Sequence, residues 1–303
     1  MVDSTVTRED IARGLTELGI RPGELLLVHS SLSSFGKVEG GAEAVVDALL
    51  DTLRASGTLV VPTFTSASDV FDPDTTPATT GAITEVVRNR ANAVRSLHPT
   101  HSVAAIGPLA EDIVKGHERV DAFGRGSPLF KMLQARARIL QLGTTHTSNS
   151  MIHTAEEIAQ AGYLDRSAQV RLKTPQGKIV SRWIRRPGCS VGFDAIEDVL
   201  QAAGAIAETQ IGRCRARVMA ARAVVDAAVE AIRSDPEALL CDRPDCGSCA
   251  EARAILAAVQ AEALEKQIME MAEEDERTVR LIEKQMSGTV TYFDPDTYNH
   301  SPN

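Results

Sequence analysis

Short apolar runs alternate along this chain with stretches whose apolar residues recur at helical spacing. Thr7 to Leu18 places Ile11, Leu15 and Leu18 on one stripe behind a Thr7–Asp10 start of capping-box type, which predicts an amphipathic helix. The run Leu25 to Val28, entered through an RPGE turn, predicts a buried strand. Ala42 to Leu53 predicts a helix stopped by Gly57, and Thr58 to Phe64 a second buried strand. Gly81 to Asn92 (helix), Ser102 to Ile106 (strand), Phe130 to Gln134 (helix) and Arg138 to Leu142 (strand) continue the alternation. Lys178 to Ile184 reads as a half-exposed strand, and Asp194 to Ala202 and Gly212 to Arg233 as helices. Ser66 to Thr80, rich in Asp, Thr, Ser and Pro, reads as a long surface loop of the kind that carries binding residues. The pattern predicts an α/β fold, a layered mixed sheet with flanking helices, plus a helical C-terminal extension. In that extension, Ala250 to Met286 has an incomplete stripe (Ile255, Val259, Ile268, Met271, Leu281, Ile282). No heptad is sustained, so a helix folded back on the body is expected rather than a coiled coil. Residues 1–240 are expected to form the principal domain, with 241–303 adding a cysteine-containing turn, the long charged helix and a tail holding two of the three tyrosines.

The segment Gly143 to Ala159, GTTHTSNSMIHTAEEIA, joins a strand end to a polar turn and then to a helix bearing His153 and Glu156. Residues three apart share a helix face, so imidazole and carboxylate can meet. Asn149 or Ser150 would cap this helix. Its apolar side is Ile152, Ala155, Ile158 and Ala159, which turns His153, Glu156, Glu157 and Gln160 toward whatever the turn borders. An imidazole oriented by a carboxylate is what a general base needs, although a capped surface helix would show the same spacing.

The 303 residues, 43% of them apolar, suffice for a large core without covalent staples, and the net charge of −9 disfavours nucleic-acid and anionic-membrane partners. No signal-peptide or membrane-span pattern is present, which predicts a cytoplasmic protein. Five cysteines make an odd count, against a disulfide framework. Cys241, Cys246 and Cys249 cluster in LLCDRPDCGSC, but a structural zinc needs four ligands, and Cys189 and Cys214 lie far off in sequence. Reduced thiols with no metal, in a turn leading to a helix capped by Ser248, are the expectation.

Four segments in order carry a resemblance: LLLVHSSLSSFGKVEGG (Leu25 to Gly41), RSLHPTHSVAAIGP (Arg95 to Pro108), FGRGSPLFKML (Phe123 to Leu133) and the His153 segment. GCSVGFDAIEDVL and QIGRCRARVM extend it more thinly. Together they resemble the aminoglycoside 3-N-acetyltransferase family. The resemblance implies an acetyltransferase with acetyl-CoA as cosubstrate and a small-molecule amine as acceptor, and leaves room for a homodimer. It implies cofactor contacts at Ser30, Ser31, Ser33, Phe35, Gly36 and Val38, at Thr63 in VPTFT, and at Ser127, for which helix capping is an equal explanation. His98, which matches the family pattern, and Glu157, an extra carboxylate beside the family's glutamate, are the candidate substrate contacts, though His98 would serve as well as a structural anchor. By the same resemblance His153 is the base, Glu156 its orienting partner, and Ser150, where the family commonly has threonine, an oxyanion donor. The cysteine turn, charged helix and tail have no match in drug-acetylating members, so the acceptor stays open between an aminoglycoside and another amine of specialised metabolism. The alternative reading is a non-catalytic CoA-binding or interaction protein on the same fold. A serine hydrolase is disfavoured because no GxSxG elbow occurs.

Overall fold

The computed structural model describes residues 5–66, 70–164, 166–174 and 176–287. Its seven-stranded sheet is built from β1 (Leu25–Ser30), β2 (Thr58–Pro62), β4 (Val94–Arg95), β5 (Val103–Ile106), β6 (Arg138–Leu142), β9 (Ile206–Ile211) and β10 (Cys214–Ala220), in the order β4-β5-β2-β1-β6-β10-β9. The three central strands β2, β1 and β6 run parallel; β5 and β10 flank them antiparallel. On one face Leu26, Val28, Leu59, Val61, Leu140 and Leu142 pack against α1 (Arg8–Glu17) and α2 (Gly41–Leu53). Thr7 caps α1 with the reciprocal Asp10 bonds of a capping box, as its sequence predicts. On the other face lie α4 (Ala110–Val114), α5 (Pro128–Gln134), α6 (Met151–Ala159) and α8 (Ala221–Ser234), while α3 (Ala82–Asn89) packs beside α2. Fully parallel neighbours at the sheet centre must be buried on both faces, which explains the uninterrupted apolar runs of β1 and β2.

Three sequence expectations change. Gly212 to Arg233 is not one helix: its first part is the β9–β10 hairpin, and only Ala221–Ser234 is helical. Gly212 makes that turn at φ +59, where an added Cβ would lie 2.2 Å from Val6 Cγ2. Strand alternation then puts Ala216 and Val218 in the core and Arg217 on the opposite face. The expected loop Ser66 to Thr80 contains β3 (Val70–Phe71), which joins β7 (Ser167–Lys173) and β8 (Ile179–Arg185) in a small sheet ordered β3-β7-β8. Trp183 on β8 is 67% exposed. The predicted helix at Asp194 to Ala202 is a 3-10 turn, Val191–Ile196, running into α7 (Glu197–Ala202).

The first compact unit runs to Arg253, so the cysteine turn belongs to it. Helix α9 (Gly247–Ser287) begins there. Beyond Ala254 the chain forms a second unit, a helix whose Val259, Ile268, Met271, Leu281 and Ile282 are each more than half exposed. The tyrosine-bearing tail, residues 290–303, lies outside the described residues. Among the described residues no helix is long and apolar enough to cross a membrane.

Candidate active site

The carboxyl ends of β1, β2 and β6 meet at a cavity of about 260 Å³, lined by His29, Ser30, Pro62, Phe64, Thr144, Ser150 and His153, with Thr80, Thr84, Thr147, Ser148 and Ser190 completing its wall. Strand ends are where open α/β sheets leave room for ligands, because the chain must turn away there. At the end of β6, Gly143 adopts φ +67, and a Cβ on it would lie 1.9 Å from Ser34 Oγ. Only glycine lets the 3-10 turn Leu32–Phe35 close over this strand end.

The turn after Gly143 is fixed from within. Asn149 Nδ2 lies 3.2 Å from His146 Nδ1, and Gln141 Nε2 donates to the Thr145 carbonyl at 2.8 Å. Arg217, 2% exposed, holds Gln141 and pairs with Glu197 at 2.7 Å; Glu197 also lies 3.2 Å from His146. Helix α6 then begins at Met151. Ser150 is its cap residue by position, but its hydroxyl makes no capping bond and instead faces His29 Nε2 at 3.5 Å, at the cavity wall. Burial pushes the His29 pKa down to about 3, so this imidazole is neutral at physiological pH.

His153 Nδ1 donates to Glu156 Oε2 at 2.6 Å, the contact predicted from their spacing. The other oxygen of Glu156 accepts from the Tyr163 hydroxyl at 2.8 Å. Glu156 is 1% exposed and Tyr163 fully buried, so the carboxylate is desolvated with both oxygens engaged. With Nδ1 committed as donor, Nε2 is the free nitrogen of the ring that lines the cavity. Phe123 stacks on the imidazole at 4.8 Å and Phe193 meets it edge-on at 4.8 Å, shielding the base from bulk water.

Of the residues expected here, Ser30, Ser150 and His153 line the cavity, and Ser30 Oγ is buried without a partner. Ser31 and Ser33 bond each other at 3.1 Å on the adjoining turn, which Gly36 ends at φ +83. The remaining side chains do not line the cavity. Phe35 is 1% exposed in the main core, and Val38 packs against that core and bridges to Val6. Thr63 is fully buried and bonded to Ser102 Oγ at 2.9 Å, because the strand end turns it inward. Ser127 caps α5, accepting from the Phe130 N–H at 3.3 Å, as proline at the next position favours. His98 is 1% exposed, accepts at Nδ1 from the His101 N–H at 3.0 Å and lies tilted against His117 with ring centroids 4.6 Å apart; it does not line the cavity. Glu157 points to a separate groove and pairs with Arg185 at 2.8 Å. The reason for excluding a fourth cysteine also fails: Cys189, Cys241, Cys246 and Cys249 place their sulfurs within 4.8 Å of one another.

Sequence reasoning did not single out Tyr163, Phe123, Phe193 or His29. Only His29 carried a readable signal, a polar residue closing an apolar strand.

Residues 27–233 match the model of the family described as aminoglycoside 3-N-acetyltransferase. Aminoglycoside N(3)-acetyltransferase IV of Salmonella sp is 31% identical over 227 residues, spanning 73% of this chain and 85% of that protein. The crystal structure of aminoglycoside acetyltransferase AAC(3)-IVa, a histidine-to-alanine mutant in complex with a gentamicin, superposes with a TM-score of 0.77 at 28% identity, covering 84% of this chain and 99% of that one. AAC-IIIb in binary complex with CoASH matches with a TM-score of 0.70 at 25% identity, over 76% of this chain and 97% of that one. A cavity at the parallel strand ends, a carboxylate-held histidine opening on it, and these matches over most of the chain lead to one assignment: the chain belongs to the aminoglycoside 3-N-acetyltransferase family.

Proposed function

We propose that His153 is the general base of an acetyl transfer carried out in the cavity at the ends of β1, β2 and β6. The reaction class follows from the family: the chain is an acetyl-CoA-dependent amine N-acetyltransferase. An ammonium has no lone pair, so the acceptor must attack as the neutral amine, and the proton it sheds as the C–N bond forms needs a base. His153 Nε2 takes that proton, and the resulting imidazolium is held by the Glu156 carboxylate at Nδ1. Ser150 Oγ, at the cavity wall, donates to the oxyanion. Collapse of the tetrahedral adduct breaks the C–S bond, and His153 returns its proton to the departing thiolate. The observation that carries this reading is the Tyr163–Glu156–His153 chain, buried at one end and open to the cavity at the other.

For the acceptor we propose an aminoglycoside, supported by the gentamicin and apramycin complexes of related enzymes. The activity is assigned to the first unit, which carries every cavity residue, and to the cytoplasm, where acetyl-CoA is available. The test is thiol release from acetyl-CoA with gentamicin, apramycin and a panel of simpler amines. His153→Ala should lower turnover about 10²–10⁴-fold while leaving CoA affinity within about twofold of wild type. Near-normal turnover of that variant at saturating amine would reject His153 as the base.

A further inference from the structure

Behind the catalytic carboxylate, the segment from Gly188 to Phe193 runs from the cavity wall to the cysteine turn. Cys189 comes from this segment, Cys241 and Cys246 from the turn, and Cys249 from the first turn of α9. All four are free thiols, and the Cys189–Cys241 sulfur separation is 3.9 Å. A tetrahedral zinc with Zn–S bonds of about 2.3 Å separates its sulfurs by about 3.8 Å. The spacing Cys241-x4-Cys246-x2-Cys249, joined by one distant cysteine, is that of a closed structural site rather than one with an open coordination position. A disulfide would need sulfurs about 2 Å apart, and a multi-iron cluster would spread its ligands beyond the 4.8 Å within which these lie.

Two further features fit a metal. The Val191 N–H donates to Cys189 Sγ at 3.4 Å and the Cys241 N–H to Cys249 Sγ at 3.3 Å, donors that favour thiolate over thiol. Arg166 is 9% exposed, with Nε and Nη2 buried and unpartnered. Its Nη1 donates to Ser248 Oγ at 2.9 Å, and a Cβ on Gly188 would lie 3.6 Å from Nη2, so the guanidinium sits between the neighbours of Cys249 and Cys189. Arg253 Nη1 donates to the Cys241 carbonyl at 3.2 Å. Both guanidiniums also pair with carboxylates, Arg166 with Glu251 at 3.2 Å and Arg253 with Glu237 at 2.8 Å, which leaves Nε and Nη2 of Arg166 as the buried donors without a partner. Those two donors add positive charge beside the sulfurs, which suits an anionic centre.

We infer that Cys189, Cys241, Cys246 and Cys249 bind one structural zinc ion that clamps the back wall of the active site. Binding releases four thiol protons and leaves a tetrathiolate centre of net charge −2. The clamp has something to hold: a Cβ on Gly188 would meet Glu156 Oε1 at 3.5 Å, Ser190 lines the cavity, and Phe193 packs on His153. Gly192 lies so close to the cysteine turn that a Cβ would be 2.5 Å from the Leu239 carbonyl.

The test is elemental analysis of the full chain, expressed with zinc present and purified without chelator. One zinc per chain is expected in the wild type, and less than a tenth of that in Cys189→Ser. Because a misfolded serine variant would also lose metal, cobalt(II) exchange into the wild type reads the site directly. Visible d–d bands with intense thiolate charge transfer are expected, and their absence counts against the site. Wild-type protein with five titratable thiols and no zinc, iron in place of zinc, the mass deficit of two disulfides, or full zinc in a folded Cys189→Ser would each overturn the inference.

Discussion

Glu156→Gln tests how much of the catalysis depends on charge rather than shape. Glutamine fills the same buried volume. Its carbonyl can accept from His153 Nδ1, now 2.6 Å from Glu156 Oε2, and its amide can donate to a reversed Tyr163 hydroxyl in place of the present 2.8 Å bond. What disappears is the negative charge. Hydrogen bonds to a charged group contribute about 1.5–3 kcal/mol against about 0.5–1.5 for neutral pairs, a difference of about 1–2 kcal/mol. That difference is felt only once the imidazole is protonated, in the transition state, so it falls on kcat as a loss of about 5- to 30-fold. The KM for acetyl-CoA should stay constant. Steady-state thiol release at saturating amine measures both. In the His153→Ala background the same substitution should change turnover less than twofold, because the group it serves is gone. A Glu156→Gln enzyme with full kcat, or an equal loss in both backgrounds, would show that the carboxylate does not act through His153.

Gly143→Ala should destabilise the fold by more than the roughly 1–2 kcal/mol of a strained backbone, since φ is +67 and the new Cβ would fall 1.9 Å from Ser34 Oγ. Adding Ser34→Gly should recover the steric part but not the backbone part in urea unfolding; no recovery would refute the clash. The third prediction concerns acid. Burial lowers His29, His101 and His117 to about 3 and His98 well below its ordinary value, so all four are neutral when folded. Their stabilisation is complete above the unfolded pKa of about 6.5 and is lost as pH falls from there toward 3. Near pH 5 unfolding takes up about four protons from these groups, so stability should fall by about 5 kcal/mol per pH unit. A denaturation midpoint unchanged between pH 7 and pH 5 would contradict their neutral burial.

The parts of the site that were legible in the sequence are local. His153 and Glu156 meet because three residues make most of a helical turn, and Thr7 with Asp10 announced α1 for the same reason. Tyr163 reaches Glu156 only because the 3-10 turn Gly162–Leu164 doubles back beneath α6, and no periodicity encodes that return. Phe123 and Cys189 arrive from loops and Phe193 from the 3-10 turn Val191–Ile196, all placed by tertiary packing. The resemblance names segments but not the direction of each side chain: Phe35 and Thr63 are buried and Val38 packs against the core. In β10 the Arg-Ala-Arg-Val alternation was readable, but it follows a glycine turn and runs directly into α8, so helix propensity masked it.

Trp183, exposed on β8 of the small sheet, is the chain's one tryptophan. Intrinsic emission therefore reports on a hairpin at the periphery while the main sheet stays spectroscopically silent. In the folded protein that emission should already be red-shifted and open to quenching by soluble iodide. A fluorescence melting curve would follow the peeling of β7 from β8 and could finish before the cavity is disturbed, so calorimetry or far-ultraviolet dichroism is the probe that sees the catalytic layer come apart.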